Sequence, residues 1–158
     1  MNKKRWLIYF FVGIVFGVFD FYYQGPVQNI KNDIVLVVMV LGIWVVVALP
    51  VAIYEAKVSR AAWKAALATM FTWVVAVVSY YLYLLVKVMF IGEPGRPDLH
   101  ISNRADPYYR LNILATLQSN VIGGILEWLL VAIIGGFIFG YLFGWIYLKA
   151  KPVKQAVK

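Results

Sequence analysis

The chain has 158 residues, 63% of them hydrophobic and only 14% charged, with a formal net charge of +8 and a mean hydropathy of +0.80. A soluble domain of this size exposes far more charge, so an ordinary water-soluble fold is excluded. The positive charge would suggest nucleic acid in a soluble protein, but no polar segment interleaves basic with aromatic residues, so nucleic acid is not an expected partner.

Apolar runs cover residues 6–23, 34–53, 67–90 and 121–148. Each reaches or approaches the roughly 20 residues that a helix needs to cross a bilayer. The expected fold is all-α: a polytopic membrane protein with four transmembrane helices, forming a single integral membrane domain over residues 1–158.

Lys3, Lys4 and Arg5 precede the first run. This beginning imitates a signal peptide, but the run closes on the bulky Phe19-Asp20-Phe21-Tyr22-Tyr23-Gln24 rather than a small-x-small cleavage site, so an uncleaved first helix is expected. Gly13, Gly17, Asp20 and Gln24 fall on one stripe of it. Gln24-Gly25-Pro26 reads as the turn that ends it. Asn32 or Asp33 can cap the second helix, accepting a bond from a free N–H at its start. Pro50 either stops that helix or kinks it before Tyr54-Glu55-Ala56-Lys57.

Residues 55–66 are rich in Ala, Lys and Arg and helix-prone. They either lie at headgroup level or extend the third helix. Trp6, Trp63, Trp73 and Trp145 fit an inner aromatic belt, and Tyr22, Tyr23, Tyr80, Tyr81 and Tyr83 populate the outer half. On the third helix Tyr80, Tyr83 and Lys87 share one face. The connection 92–120 begins turn-rich at Gly92-Glu93-Pro94-Gly95. Asp106-Pro107 then reads as an N-cap followed by proline at the first helical position. Leu111, Leu114 and Leu117 predict a short amphipathic surface helix over 107–118, with a simple extension of the fourth helix as the alternative.

The fourth run carries Ala132, Gly136, Gly140 and Gly144, each four residues from the next. Small residues at this spacing form a groove in which another helix can approach closely. It either packs on the Gly13 and Gly17 stripe within one chain or receives a partner. If the spans alternate, Lys3, Lys4, Arg5, Lys57, Arg60, Lys64, Lys149, Lys151, Lys154 and Lys158 fall on one side: ten of the 15 basic residues. The other side mixes Lys31, Arg96, Arg104 and Arg110, with Lys87 at its edge, with Asp33, Glu93, Asp98 and Asp106. This asymmetry predicts cytoplasmic termini, in a bacterial inner membrane as the simplest case. Anionic headgroups attract the basic side by about 1 kcal/mol per residue.

No cysteine is present and His100 is alone, so no metal or cofactor is expected. Paired-acid, zinc and nucleophile-elbow motifs are missing, which argues against an enzyme. Asp20 and Glu127 are acids inside apolar runs, where a charge is costly and usually faces the bundle interior. Topology places both, with Lys87, toward the outer side. An outward-facing polar pocket of Asp20, Lys87, Glu127, Tyr80 and Tyr83 is therefore expected, against an alternative in which Asp20 and Lys87 snorkel or simply pair. Two functions follow. The first is a non-catalytic subunit or scaffold that associates laterally, its partners being the bilayer and another membrane protein or a second copy. The second is a small oligomeric transporter or channel using Asp20 and Glu127.

Overall fold

The computed structural model describes residues 2–87, 90 and 107–151. Its elements are α1 (Lys3–Val27), α2 (Asp33–Ser59), α3 (Ala62–Val86), α4 (Tyr109–Thr116), a wider π-helical stretch (Leu117–Gly123) and α5 (Gly124–Ala150). Four helices are long and apolar enough to cross a membrane, the last being the continuous run Tyr109–Ala150. Residues 92–106, with the Asp106 cap and His100, lie outside the described residues, as do Lys154 and Lys158.

Local chemistry sets the helix ends. Asn2 Oδ1 accepts from the Lys4 N–H, opening α1. Asn32 Oδ1 accepts from the N–H groups of Ile34 and Val35, each at 3.1 Å, and Asp33 adds a negative charge to that first turn. The expected stop at Gln24-Gly25-Pro26 comes slightly later. Pro26 lies inside the last turn of α1, and the Gln28 N–H closes the helix on the Gln24 carbonyl at 3.0 Å.

Pro50 does not stop α2, which runs on to Ser59. The ring removes one backbone donor. What holds the helix beyond it is packing, because Val51, Ala52, Glu55 and Ala56 are all buried. Segment 55–66 is therefore divided between two long helices. The turn between them is Arg60-Ala61, with Arg60 in the left-handed region at φ 53° and its N–H bonded to the Ala56 carbonyl at 2.9 Å. For a residue with a Cβ that conformation costs roughly 1–2 kcal/mol.

The tertiary plan centres on α3. It packs on α1 along one side and on α5 along another, while α2 leans on α3 and α5 and barely meets α1. Among the described residues α1 and α5 do not pack against each other. The reason is the composition of α3, whose buried face is largely small: Ala65, Ala66, Ala68, Thr69, Thr72 and Ala76. A Cβ at Gly13 would lie 2.8 Å from the Thr72 carbonyl oxygen. One at Gly136 would lie 2.8 Å from the Met70 Cα, and one at Gly140 2.8 Å from the Ala66 Cα. Both glycine stripes thus receive α3 rather than each other. Gly144 completes the series against Ala65, and Ala132 is buried in the Trp44–Trp73 cluster.

Trp73 is not in an aromatic belt. It is buried in mid-helix, edge-on to Trp44 at 5.2 Å between ring centroids and 6.0 Å from Phe139. Trp63 and Trp145 are exposed, with the ammonium groups of Lys64 and Lys149 over their rings. Trp6 rests edge-on against Phe71. The outward faces of α1, α2 and α5 are apolar, with Val15, Ile34, Val46 and Leu130 among their exposed residues. That inside-out distribution suits a surrounding of hydrocarbon.

Candidate functional site

Consecutive helices alternate in direction, so one end of the bundle carries the start of α1 and the end of α5, and the other carries the α1–α2 turn. At the α1–α2 turn end lies a cavity of about 140 Å³. Asp20 and Gln24, one turn apart on α1, line it together with Gln28 just past the helix. Trp44 enters from α2, Tyr80 and Tyr81 from α3, and Trp128 from α5. Asp20 is only 3% exposed, and Gln24 Nε2 donates to its Oδ1 at 3.2 Å. Gln28 is exposed and marks the mouth.

The positions of these side chains follow from the helix packing. The close approach at Gly13 and Gly17 presses α1 onto α3, which carries Asp20, one turn on, inside the bundle. Tyr80 is held between Phe21, at 5.5 Å, and Tyr81, at 4.9 Å. A Cβ at Gly124 would collide with the Tyr81 ring, so this glycine is what lets the ring lie against α5. Trp128, one turn further along, follows on the same face.

Of the residues expected to share a pocket, Asp20 and Tyr80 do line one cavity. Lys87 and Tyr83 belong to a neighbouring aromatic group. The Lys87 ammonium lies 5.3 Å from the Phe21 ring centroid and 5.2 Å from that of Tyr22, and the Tyr22 and Tyr83 hydroxyls are hydrogen-bonded. Glu127 is elsewhere: it is exposed on the outward face of α5 beside Leu126 and Leu130. Adjacent helix positions are about 100° apart, which is why Trp128 faces the cavity and Glu127 does not.

The sequence reading missed a second polar site, at the end of the bundle that carries the termini. Glu55 has no solvent exposure. Arg5 Nη1 donates to its two carboxylate oxygens at 2.8 and 2.9 Å, and the buried Tyr9 hydroxyl donates to Oε2 at 2.6 Å. The carboxylate is thus both charge-paired and hydrogen-bonded, as a buried ion needs to be. The available signal was the stripe Ala48, Ala52 and Ala56, which puts Glu55 next to a small, packable face, together with Arg5 and Tyr9 one turn apart on α1.

Between the two sites, Trp73 Nε1 and Thr69 Oγ1 are buried without a hydrogen-bond partner. Thr69, Trp73 and Tyr80 share one face of α3. Among the described residues no three His, Asp or Glu side chains come together as a metal-ligand set. Compared with known proteins, the chain matches no family model, no curated protein and no solved structure.

Proposed function

We propose that this protein is a small membrane transport protein that takes a polar solute into the Asp20 cavity. The observation that carries the reading is the Asp20 carboxylate, 3% exposed yet lining a cavity inside a bundle of apolar helices. An ionisable group at such a position is costly, and its default interpretation is a binding or conducting role. Below the cavity, Trp44, Trp73 and Phe16 close the interior as a packed aromatic layer. The unpartnered Trp73 indole N–H within that layer and the unpartnered Thr69 hydroxyl one turn beyond it supply polar stations along α3, and the Arg5–Glu55–Tyr9 network seals the far end. A solute held at Asp20 would cross only when these closures open.

The same reading puts the end carrying the termini in the cytoplasm of a bacterial cell, supported by Lys3, Lys4, Arg5, Lys57, Arg60 and Lys64 at that end. The cavity mouth then opens to the outside. There α4 lies near the surface, with Leu111 and Leu114 exposed while Tyr109 and Ile113 pack inward.

The test is solute-dependent thermal stabilisation of the purified protein, followed by uptake into liposomes that contain it. A chemically broad panel of small solutes is screened against the parent chain and Asp20→Asn. At least one solute is expected to raise the unfolding temperature of the parent and to accumulate in the liposomes, with both effects lost in the variant. No stabilisation by any solute, with equal leakage from liposomes carrying either chain, would overturn the proposal.

A second reading rests on Glu127. A carboxylate on the outward face of α5, flanked by Leu126 and Leu130, meets hydrocarbon or headgroups unless another polypeptide covers it. That favours lateral association with a membrane helix carrying a basic or amide side chain, or with a second copy. Such association would not use the groove of Ala132, Gly136, Gly140 and Gly144, which α3 and the interior already fill. Glu127→Leu is expected to lower the mass of the intact assembly in native lipid discs. An unchanged mass removes this reading.

A further inference from the structure

Separately from the Asp20 cavity, we infer that the groove between α1 and α3, at the end of the bundle that carries the termini, binds one anionic phospholipid. The groove measures about 500 Å³ and is lined by Lys3, Trp6, Leu7 and Phe10 of α1 and by Phe71 of α3. Both helices start at this end, and each presents a cation first and apolar surface after it. Lys3 opens α1, and Phe10 follows seven positions later, roughly 10 Å deeper at 1.5 Å per residue. Lys64 stands seven positions before Phe71 and so shares its face of α3. A phosphate at the level of the two lysines leaves an acyl chain about 10 Å of apolar wall to follow. Trp6 lies between, at the depth where tryptophan favours the headgroup boundary. The wall is preformed. Trp6 and Phe71 meet edge-on at 4.5 Å between ring centroids, and Phe71 also packs on the buried cluster of Tyr9, Val51 and Ala68.

Charge selects the headgroup. Among the described residues Glu55 is the acid at this end, and Arg5 already engages both of its oxygens. Residues 152–158, which follow α5, contain no Asp or Glu. The Lys64 ammonium rests 5.5 Å from the centroid of the exposed Trp63 ring, which holds that charge at the surface. Other occupants fit less well. A zwitterionic lipid matches the wall and not the charge, and a free phosphate matches the charge and leaves the wall without a role. A second copy of the chain meeting this face by two-fold symmetry would set Lys3 and Lys64 beside like charges. An anionic lipid uses both features, and each lysine near a membrane surface is worth about fivefold in affinity.

The experiment titrates the full chain in mild detergent with dioleoyl phosphatidylglycerol and reads bound lipid by native mass spectrometry, with the unfolding temperature alongside. Dioleoyl phosphatidylcholine carries the same tails without net charge, and glycerol 1-phosphate carries the charge without tails. The first phosphatidylglycerol is expected to bind at least about tenfold more tightly than phosphatidylcholine and to raise the unfolding temperature, with no response to glycerol 1-phosphate. Lys3→Gln with Lys64→Gln is expected to weaken phosphatidylglycerol about thirtyfold and to leave phosphatidylcholine unchanged. Phe10→Ala, at an exposed wall position, is expected to weaken both lipids. Lys149→Gln with Lys151→Gln removes two exposed charges at the same end but outside the groove, and is expected to change phosphatidylglycerol binding by less than about twofold. Equal binding of the two lipids would overturn the anionic class. Equal losses in the two double-lysine variants would overturn the groove as the location, because general attraction to the basic end would then account for the binding. A response to glycerol 1-phosphate as strong as that to the lipid would make this an ion site and overturn the phospholipid. A doubled mass that excludes lipid would give the groove to a second copy instead. The outcome is independent of the Asp20 cavity, which the titration does not read.

Discussion

At Glu55 a fully buried carboxylate meets a guanidinium and a phenol. Removing one partner strands the rest, whereas removing the charges together does not, and this asymmetry gives a prediction. Arg5→Met is expected to lower stability by about 3–5 kcal/mol, because the carboxylate stays buried without its cation. Tyr9→Phe, which removes a single hydrogen bond to a charged acceptor, is expected to cost about 1.5–3 kcal/mol. The double variant Arg5→Met with Glu55→Leu should recover most of what Arg5→Met alone loses. Chemical denaturation in detergent measures all three, and a double variant no more stable than Arg5→Met would refute the coupling. This residue was hidden in the sequence for a physical reason. Its place inside or outside the bundle depends on whether α2 survives Pro50, and that is decided by packing between helices far apart in the chain. Asp20 was legible, because an acid inside an apolar run needs no tertiary information to stand out. Glu127 was just as visible, but sequence alone did not show that the bundle interior lies on the other side of its helix.

At the scale of the helix, glycine has two meanings in this chain. At Gly13, Gly17, Gly136 and Gly140 the missing side chain is occupied by the backbone or side chains of α3, and at Gly42 nothing approaches within 4 Å. Gly136→Val and Gly140→Val should therefore push α5 off α3 and cost about 1–3 kcal/mol or more each, through overpacking against atoms that cannot yield. Gly42→Ala, inside α2, should instead stabilise by about 0.5–1 kcal/mol, since it lowers the flexibility of the unfolded chain and improves helix propensity. Thermal unfolding of the three variants checks the contrast, and equal destabilisation at Gly42 and Gly136 would defeat it. The four spans, the Asn32 cap and the small-residue spacing were readable because each is a local pattern of period or of capping chemistry. The helix that meets those small residues was not readable. Spacing says that something approaches closely and leaves its identity open. Trp73 went astray for the same reason, since a tryptophan in an apolar run suits either a headgroup belt or a core, and only its neighbours Trp44 and Phe139 choose.

For the whole molecule the governing fact is that α1 is held almost wholly by α3, while α2 rests on α3 and α5. α1 and α2, consecutive in the chain, share little contact, and both rely on α3. During synthesis this imposes an order. The first two spans enter the bilayer as independent rods, and in lipid there is little hydrophobic force to draw them together. They become a unit only when the third arrives and offers its alanine and threonine face. A chain ended after Ser59 is therefore expected to show no proximity between α1 and α2 in a crosslinking assay on nascent membrane proteins, and one ended after Val86 to show α1 crosslinked to α3. The same logic gives the Arg60-Ala61 turn an importance beyond its length. It delivers the organising helix beside α2 as soon as it is made, so the wait for assembly is no longer than the time needed to translate one helix.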